Sequence, residues 1–288
     1  MTRFDALHLG LSVALIGLAA LAPARADQSS VRIISVGGSV TEVVVALGAA
    51  DRLIGRDTTS NYPESILALP DVGYVRALSP EGVLSLGPDL VIAEAGAGPA
   101  EAVAVLQAAG VPYIAIPESY DGAGVVTKII AVAEALGVSA KGATLAATVE
   151  ADLAKAAAQA ASVTAPKRVL FVLSMEGGRI MAAGQNTSAE GILQLAGAEN
   201  AASGFDGYKQ MTDEAVLAAA PDVILMMDRD GDHAALNADL FAHPALITSP
   251  AAATQSVIRM DGMLLLGFGP RTAQAANDLH AALYGVKG

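Results

Sequence analysis

A gapless internal repeat constrains this chain more than any other feature. Leu78-Ser-Pro-Glu81-Gly-Val83-Leu84-Ser-Leu-Gly-Pro88-Asp89-Leu90-Val91-Ile92-Ala93 aligns with Met211-Thr-Asp-Glu214-Ala-Val216-Leu217-Ala-Ala-Ala-Pro221-Asp222-Val223-Ile224-Leu225-Met226. Glu, Val, Leu, Pro and Asp coincide at a constant offset of 133 (211 minus 78), and most of the other positions keep their polarity. In each copy a capped helix ends, Pro-Asp turns the chain, and a buried strand follows. One such unit predicts an α/β layer; two equivalent units predict two lobes with a cleft between them.

The rest of the chain has the same grammar. Val31–Gly37, Leu53–Arg56, Leu90–Ala93 and Tyr113–Ile116 read as short buried strands, with amphipathic helices at Thr41–Leu47, Pro80–Leu86 and Ala100–Ala109 between them. Strands at Arg168–Leu173, Asp222–Met226 and Ser256–Met260 repeat the pattern, so each half is expected to be a Rossmann-like lobe with a parallel sheet. Between the halves, residues 122–163 are nearly all helix formers. Ser139 reads as an N-cap, and Ala140 to Ala161 runs without proline for roughly 33 Å at 1.5 Å per residue, long enough to span a domain. The expected organisation is a signal segment at 1–26, a first lobe at 27–121, a linking helical segment at 122–163 and a second lobe at 164–288.

The signal assignment rests on Arg3, the apolar run from Leu9 to Leu21, and the small-x-small site Ala24-Arg25-Ala26. That run is too short to cross a bilayer of ~30 Å hydrocarbon. The chain carries a formal charge of −12 and no cysteine. Such acidity argues against nucleic acid or an anionic membrane surface as partner. Without thiols an exported protein has neither disulfides nor thiolate-held clusters, so its core must stabilise it.

Four segments carry a specific resemblance: Arg32-Ile-Ile-Ser-Val-Gly-Gly-Ser-Val-Thr-Glu42, Asp57-Thr-Thr-Ser-Asn-Tyr-Pro63, Leu69-Pro-Asp-Val-Gly-Tyr74-Val-Arg76-Ala-Leu-Ser-Pro-Glu81-Gly, and Leu264-Leu-Leu-Gly-Phe-Gly-Pro-Arg271-Thr. Together they resemble the haem-binding periplasmic proteins of bacterial ABC importers, the HmuT-like group with a helical backbone (class III). The resemblance implies a monomeric, non-enzymatic periplasmic carrier with two lobes on one long helix. It also implies ferric haem b as transported ligand, delivery to an inner-membrane permease dimer with its ATPase, and an outer-membrane haem receptor upstream.

It further implies that the tyrosine of the Gly-Tyr-x-Arg segment, here Tyr74, is the axial ligand. Ferric iron is a hard cation that favours an anionic oxygen, and tyrosinate is a known haem ligand. A free phenol ionises near pH ~10, so a cation close by helps it bind as phenolate. Arg76 and, from the second lobe, Arg229 are the candidates. Tyr62 is the nearest competitor to Tyr74 and a pocket-lining candidate. Some relatives place a second-lobe histidine where this chain reads Leu173-Ser174-Met175-Glu176, so Met175 is expected as an apolar wall or a soft ligand. Gly37-Gly38-Ser39 and Gly96-Ala-Gly98 read as turns aiming helix N-termini at the cleft, where Ser39, Thr41 and Ser60 would add hydroxyl donors to a propionate. Glu81 and Glu214, paired by the repeat, resemble the glutamates that dock such proteins onto a permease.

Two other readings compete. A ferric siderophore or cobalamin carrier would share the fold. An exported hydrolase needs a nucleophile elbow and a serine–histidine pair, and no Gly-x-Ser-x-Gly occurs. After signal removal His233, His243 and His280 remain, too few and too scattered for a zinc or manganese carrier.

Overall fold

In the computed structural model, residues 31–228 and 236–285 are described. The signal segment, Arg229 and His233 therefore lie outside the described residues. Among the described residues no helix is long and apolar enough to cross a membrane.

The first sheet grows from β1 (Ile33–Val36), buried at all four positions, followed by α1 (Gly38–Ala46) and β2 (Leu53–Arg56). A two-strand hairpin, β3 (Gly73–Tyr74) and β4 (Ala77–Leu78), precedes α2 (Pro80–Ser85), β5 (Leu90–Glu94), α3 (Ala100–Ala108) and β6 (Tyr113–Ile116). The strand order is β2-β1-β5-β6, all parallel, as βαβ units require. Apolar residues on both faces explain the Val/Ile/Leu runs: Ile33 and Ile92 enter one core, Ile34 and Val91 another.

The linking segment is two helices, α4 (Gly122–Ala135) and α5 (Ser139–Ala161), broken at Gly137, whose φ is +70°. Ser139 opens α5 as its first helical residue; the N-cap is Val138, with no side-chain cap bond. Gly142, Ala146, Val149, Leu153 and Ala156 are buried at alternating spacings of four and three, a narrow stripe that packs on α4. The two helices approach closely enough that a Cβ on Gly142 would overlap the Cβ of Ala133. Farther along, α5 contacts helices of the second lobe, so it is the backbone that joins the halves.

The second lobe contains β7 (Arg168–Glu176), β8 (Arg179–Ala183), α6 (Ser188–Leu195), β9 (Glu199–Asn200), β10 (Tyr208–Gln210) and α7 (Asp213–Ala219). It continues with β11 (Val223–Asp228), α8 (Asn237–Ala242), α9 (Pro250–Thr254), β12 (Val257–Asp261), α10 (Gly262–Leu266) and α11 (Thr272–Tyr284). The sequence predicts a parallel sheet here, but the sheet is mixed. β9, β7, β11 and β12 pair in parallel, whereas β8 and β10 add antiparallel strands. The cause is local. Gly177 and Gly178 both have positive φ (57° and 74°), which gives β7 a two-residue hairpin turn in place of a crossover helix.

One core runs through both lobes, from Ile33 and Ile92 through Ile129 and Leu153 to Phe171, Leu225 and Leu279. The repeat is carried by matching bonds. Ser79 Oγ accepts from Gly82 N (3.1 Å) at the start of α2, and Thr212 Oγ1 from Ala215 N (3.2 Å) at the start of α7. Asp89 Oδ2 accepts from Arg32 N and Asp222 Oδ2 from Arg168 N, each at 2.8 Å. The same two arginines donate to Leu86 O and Ala219 O, which are equivalent in the repeat. Each Pro-Asp turn thus pins the beginning of its lobe's first strand.

Candidate functional site

The carboxyl ends of the parallel strands of both sheets open into one cleft of about 590 Å³, where α/β sheets place ligands. Its first-lobe wall is polar: Tyr74 and Arg76 from the β3–β4 hairpin, Glu94 at the end of β5, and Glu118 and Tyr120 after β6. The facing wall is largely apolar, with Leu173, Met227, Met263 and Leu266, flanked by Tyr208 and by Asp228 and Asp261 at the ends of β11 and β12.

Tyr74 and Arg76 both line the cleft because the tight hairpin carries both. Gly73, at φ +102°, turns the chain into β3, and Asp71 Oδ1 accepts from Gly73 N at 2.8 Å. The hairpin is fixed to its lobe by Gly98 N donating to Val75 O (2.9 Å) and Leu78 N to Gly98 O (2.9 Å). Tyr74 keeps 47 % of its surface exposed, a large fraction for a phenol on a rigid element facing a cavity.

Beneath this wall lies a charged network. Lys128 on α4 is fully buried, and its Nζ donates to Ser39 Oγ (2.8 Å), Glu118 Oε1 (2.9 Å) and the Gly267 carbonyl of the second lobe (3.2 Å). Asp57, also fully buried, accepts from Gly37 N, Thr59 N, Thr59 Oγ1 and Ser60 Oγ at 2.6–3.0 Å. Burial raises the pKa of Glu118, opposed by Lys128. Glu94 is pushed up to about 7, first by burial and then by Glu118, with Lys128 acting in the other direction. Burial likewise raises the phenol pKa of Tyr120, whose ring meets Phe268 edge-on at 5.5 Å.

A family model described as periplasmic binding protein matches residues 33–264, most of the chain. The chain belongs to this family. Among solved structures, the periplasmic haem-binding protein BhuT, in complex with two haems, has 43% sequence identity and a TM-score of 0.84, covering 88% of this chain and 97% of that one. RhuT, the periplasmic haem-binding protein from Roseiflexus sp. RS-1, has 40% identity and a TM-score of 0.84, covering 89% and 98%. Among curated relatives, the ABC transporter substrate-binding lipoprotein YvrC of Bacillus subtilis is 27% identical over 88% of this chain and 80% of its own length. The vitamin B12-binding protein of Yersinia pestis is 38% identical over 101 residues, 35% of each chain.

Within this periplasmic binding protein several sequence-predicted residues fall away from the cleft wall. Ser39, Thr41 and Ser60 are buried, and neighbours take up their hydroxyls: Lys128 donates to Ser39, and Ser35, Thr41, Ser60 and Asp57 form a chain of 2.6 Å bonds. They hold the Asp57–Ser60 loop against α1 and do not line the cleft. The turn amides are used in the same way, Gly37 N by Asp57 and Gly38 N by Thr59 Oγ1 (2.9 Å). Gly96 faces a separate pocket beside α3.

Met175 is also displaced. A bulge places Val172 opposite Ala182 but Ser174 opposite Met181, so one extra residue, Leu173, enters β7 and reverses the alternation beyond it. Leu173 lines the cleft, whereas Met175 packs in the core on the other face. Tyr62 lies outside the cleft lining, its ring under the Arg271 guanidinium at 3.6 Å, and Arg271 donates to Glu42 at 2.9 Å. This stack joins the lobes. His243 and His280 bind carbonyls, Gly178 O at 2.7 Å and Ala196 O at 3.0 Å, inside the second lobe.

Sequence reasoning missed Glu94, Glu118, Lys128 and the methionine wall. For Lys128 a signal existed: Val125, Lys128, Ile129 and Val132 share one helical stripe, which puts the lysine on the buried side.

Proposed function

We propose that this chain is the haem-binding component of a bacterial ABC importer, with ferric haem held in the interlobe cleft by the Tyr74 phenolate. The observation that carries the reading is the half-exposed Tyr74, on the same cleft-lining hairpin as Arg76, opposite a largely apolar wall. Solved structures alike over almost their whole length are haem-binding proteins, which supports the same cargo. Arg76 stabilises the phenolate or pairs with a propionate; Leu173, Met227, Met263 and Leu266 cover the macrocycle. Delivery, not bond making, is the task, and residues 1–26 direct the chain to the periplasm and are removed.

Adding haemin to the purified wild-type protein is expected to give a ferric high-spin spectrum. Tyr74→Phe loses that band and Tyr62→Phe keeps it. Equal binding by both variants would remove Tyr74 from the iron.

The short match to a vitamin B12-binding protein motivates a second cargo. It covers about a third of each chain, whereas the likeness to haem-binding structures covers both chains almost entirely. Competition of haemin against cobalamin and a ferric hydroxamate decides between them, and preference for either competitor would overturn the haem assignment.

Glu81 and Glu214 are assigned to permease docking. Both are exposed in the first turn of repeat-equivalent helices, beside the capping hydroxyls of Ser79 and Thr212. A hydrogen bond from its own backbone amide, then one from Thr212, lowers the pKa of Glu214 and keeps it charged. The double variant Glu81→Ala/Glu214→Ala should leave haemin titration unchanged while abolishing stimulation of the importer's ATPase in proteoliposomes.

A further inference from the structure

We infer that Glu94 meets a carboxylate of the bound macrocycle as a neutral acid, so that loading the cleft takes up a proton. The inference rests on the haem reading and deepens it.

Charge around the cleft sets the problem. Four carboxylates line it, Glu94, Glu118, Asp228 and Asp261, and among the described lining residues Arg76 is the one cation. A porphyrin brings two propionates. A carboxylate entering such a wall meets repulsion unless one of the acids is neutral and can donate.

Hydrogen bonding singles out which acid that is. Glu118 accepts from Lys128, buried Asp57 accepts four donors, and Asp261 Oδ1 caps α10 by accepting from Leu264 N at 2.7 Å. Each of these carboxyls already has its donors. Asp228 is exposed to solvent at the end of its strand. Glu94 is mostly buried at the cleft floor, and its carboxyl accepts no hydrogen bond from any described residue. Its carboxyl lies against the Gly37 turn, where a Cβ would fall 2.5 Å from Oε2, so the backbone holds the group in place.

The groups facing Glu94 come from every neighbouring element. Glu118 follows β6, Lys128 is on α4, Asp57 follows β2 and Arg76 is on the β3–β4 hairpin, while Tyr120 lies close enough to feel its charge. Asp228 and Asp261 close the cavity from the second lobe. In the ligand-free protein this balance leaves Glu94 titrating at about 7. A ligand carboxylate and the exclusion of water both act to raise it further.

The test compares proton linkage in wild type and Glu94→Gln, whose amide keeps a donor without titrating. Calorimetric haemin titrations at pH 8 in buffers of different ionisation enthalpy should show wild type taking up nearly one proton more than the variant. Between pH 7 and 9 the haemin affinity of wild type, relative to Glu94→Gln, should fall about tenfold per pH unit. Taking the difference between the proteins cancels any proton released by the ligating phenol, which both share. Parallel pH profiles would overturn the inference and leave haem binding intact. Equal Glu94-dependent uptake with haemin dimethyl ester would overturn the carboxylate contact, because that ligand has no carboxylates. Absence of any haemin band in wild type would remove the haem reading and this inference together. Glu94→Ala, with an apo melting curve, serves as the second variant and should lose the same proton.

Discussion

The two lobes share a scaffold and divide the chemistry unequally. Their repeat-equivalent helices carry the same hydroxyl caps, and their Pro-Asp turns pin the first strands with bonds of the same length. Yet the buried charged side chains among the described residues, Glu42, Arg52, Asp57 and Lys128, all belong to the first lobe or the helix packed on it. The second lobe buries hydroxyls and two histidines bonded to carbonyls, and offers the cleft mainly leucine and methionine. Buried ionic networks hold a polar wall in fixed geometry, because each group must keep its partners. An apolar wall has no such demand and can adapt to a flat ligand. One lobe therefore holds polar groups in place at the cleft and the other presents it with a mostly apolar face.

If this division holds, the largest effect belongs to the first-lobe network. Lys128→Met leaves Glu118 buried without its cation and should destabilise the protein by about 3–5 kcal/mol. The melting midpoint should fall by about 10 °C in a calorimetric scan. A drop of a degree or two would show that the network does not hold the wall.

Ligand binding tests the same asymmetry across the cleft. Tyr74→Phe should weaken haemin binding at least a hundredfold, about 2.7 kcal/mol, whereas Tyr208→Phe, which loses a 3.1 Å contact with Ser188, should change it less than about threefold. Similar losses in an absorbance titration would mean that both lobes ligate.

A smaller effect follows from Glu94 in the free protein. Its carboxyl titrates at about 7 against 4.5 for the ordinary group, so folding is favoured by its protonated form. That contribution is complete below pH 4.5 and is lost as the pH rises through 7. Glu94→Gln should therefore be more stable than wild type by about 1–2 kcal/mol at pH 8, with the gap closing near pH 4. Chemical denaturation at the two pH values measures it.

The smallest effect probes the symmetric part. Ser79→Ala and Thr212→Ala each remove one helix cap and should cost about 1 kcal/mol apiece. Denaturation midpoints that differ strongly between the two variants would show that the repeat is equal in form but not in energy.

Local signals were legible where the physics is local. Pro-Asp after a helical pattern, apolar runs of strand length and the proline-free stretch before residue 162 all predicted their elements, because turn geometry and helix propensity act within a few residues. Gly177-Gly178 carries a local turn signal of the same kind, which the expectation of a parallel sheet passed over. The bulge at Leu173 had no such signature: it arises from pairing with a strand the sequence does not name, and one extra residue sends Met175 to the far face.

By itself the sequence determined two lobes, one backbone helix and a tyrosine carried on a Gly-Tyr-x-Arg turn, since each depends on residues adjacent in the chain. Tertiary structure alone decided that Ser39, Thr41 and Ser60 are consumed internally, that Tyr62 lies under Arg271, and that Glu94 faces the cleft with no described hydrogen-bond donor to its carboxyl. The physical reason is that a polar side chain's role follows from which donors surround it, and those donors come from segments up to 229 residues away.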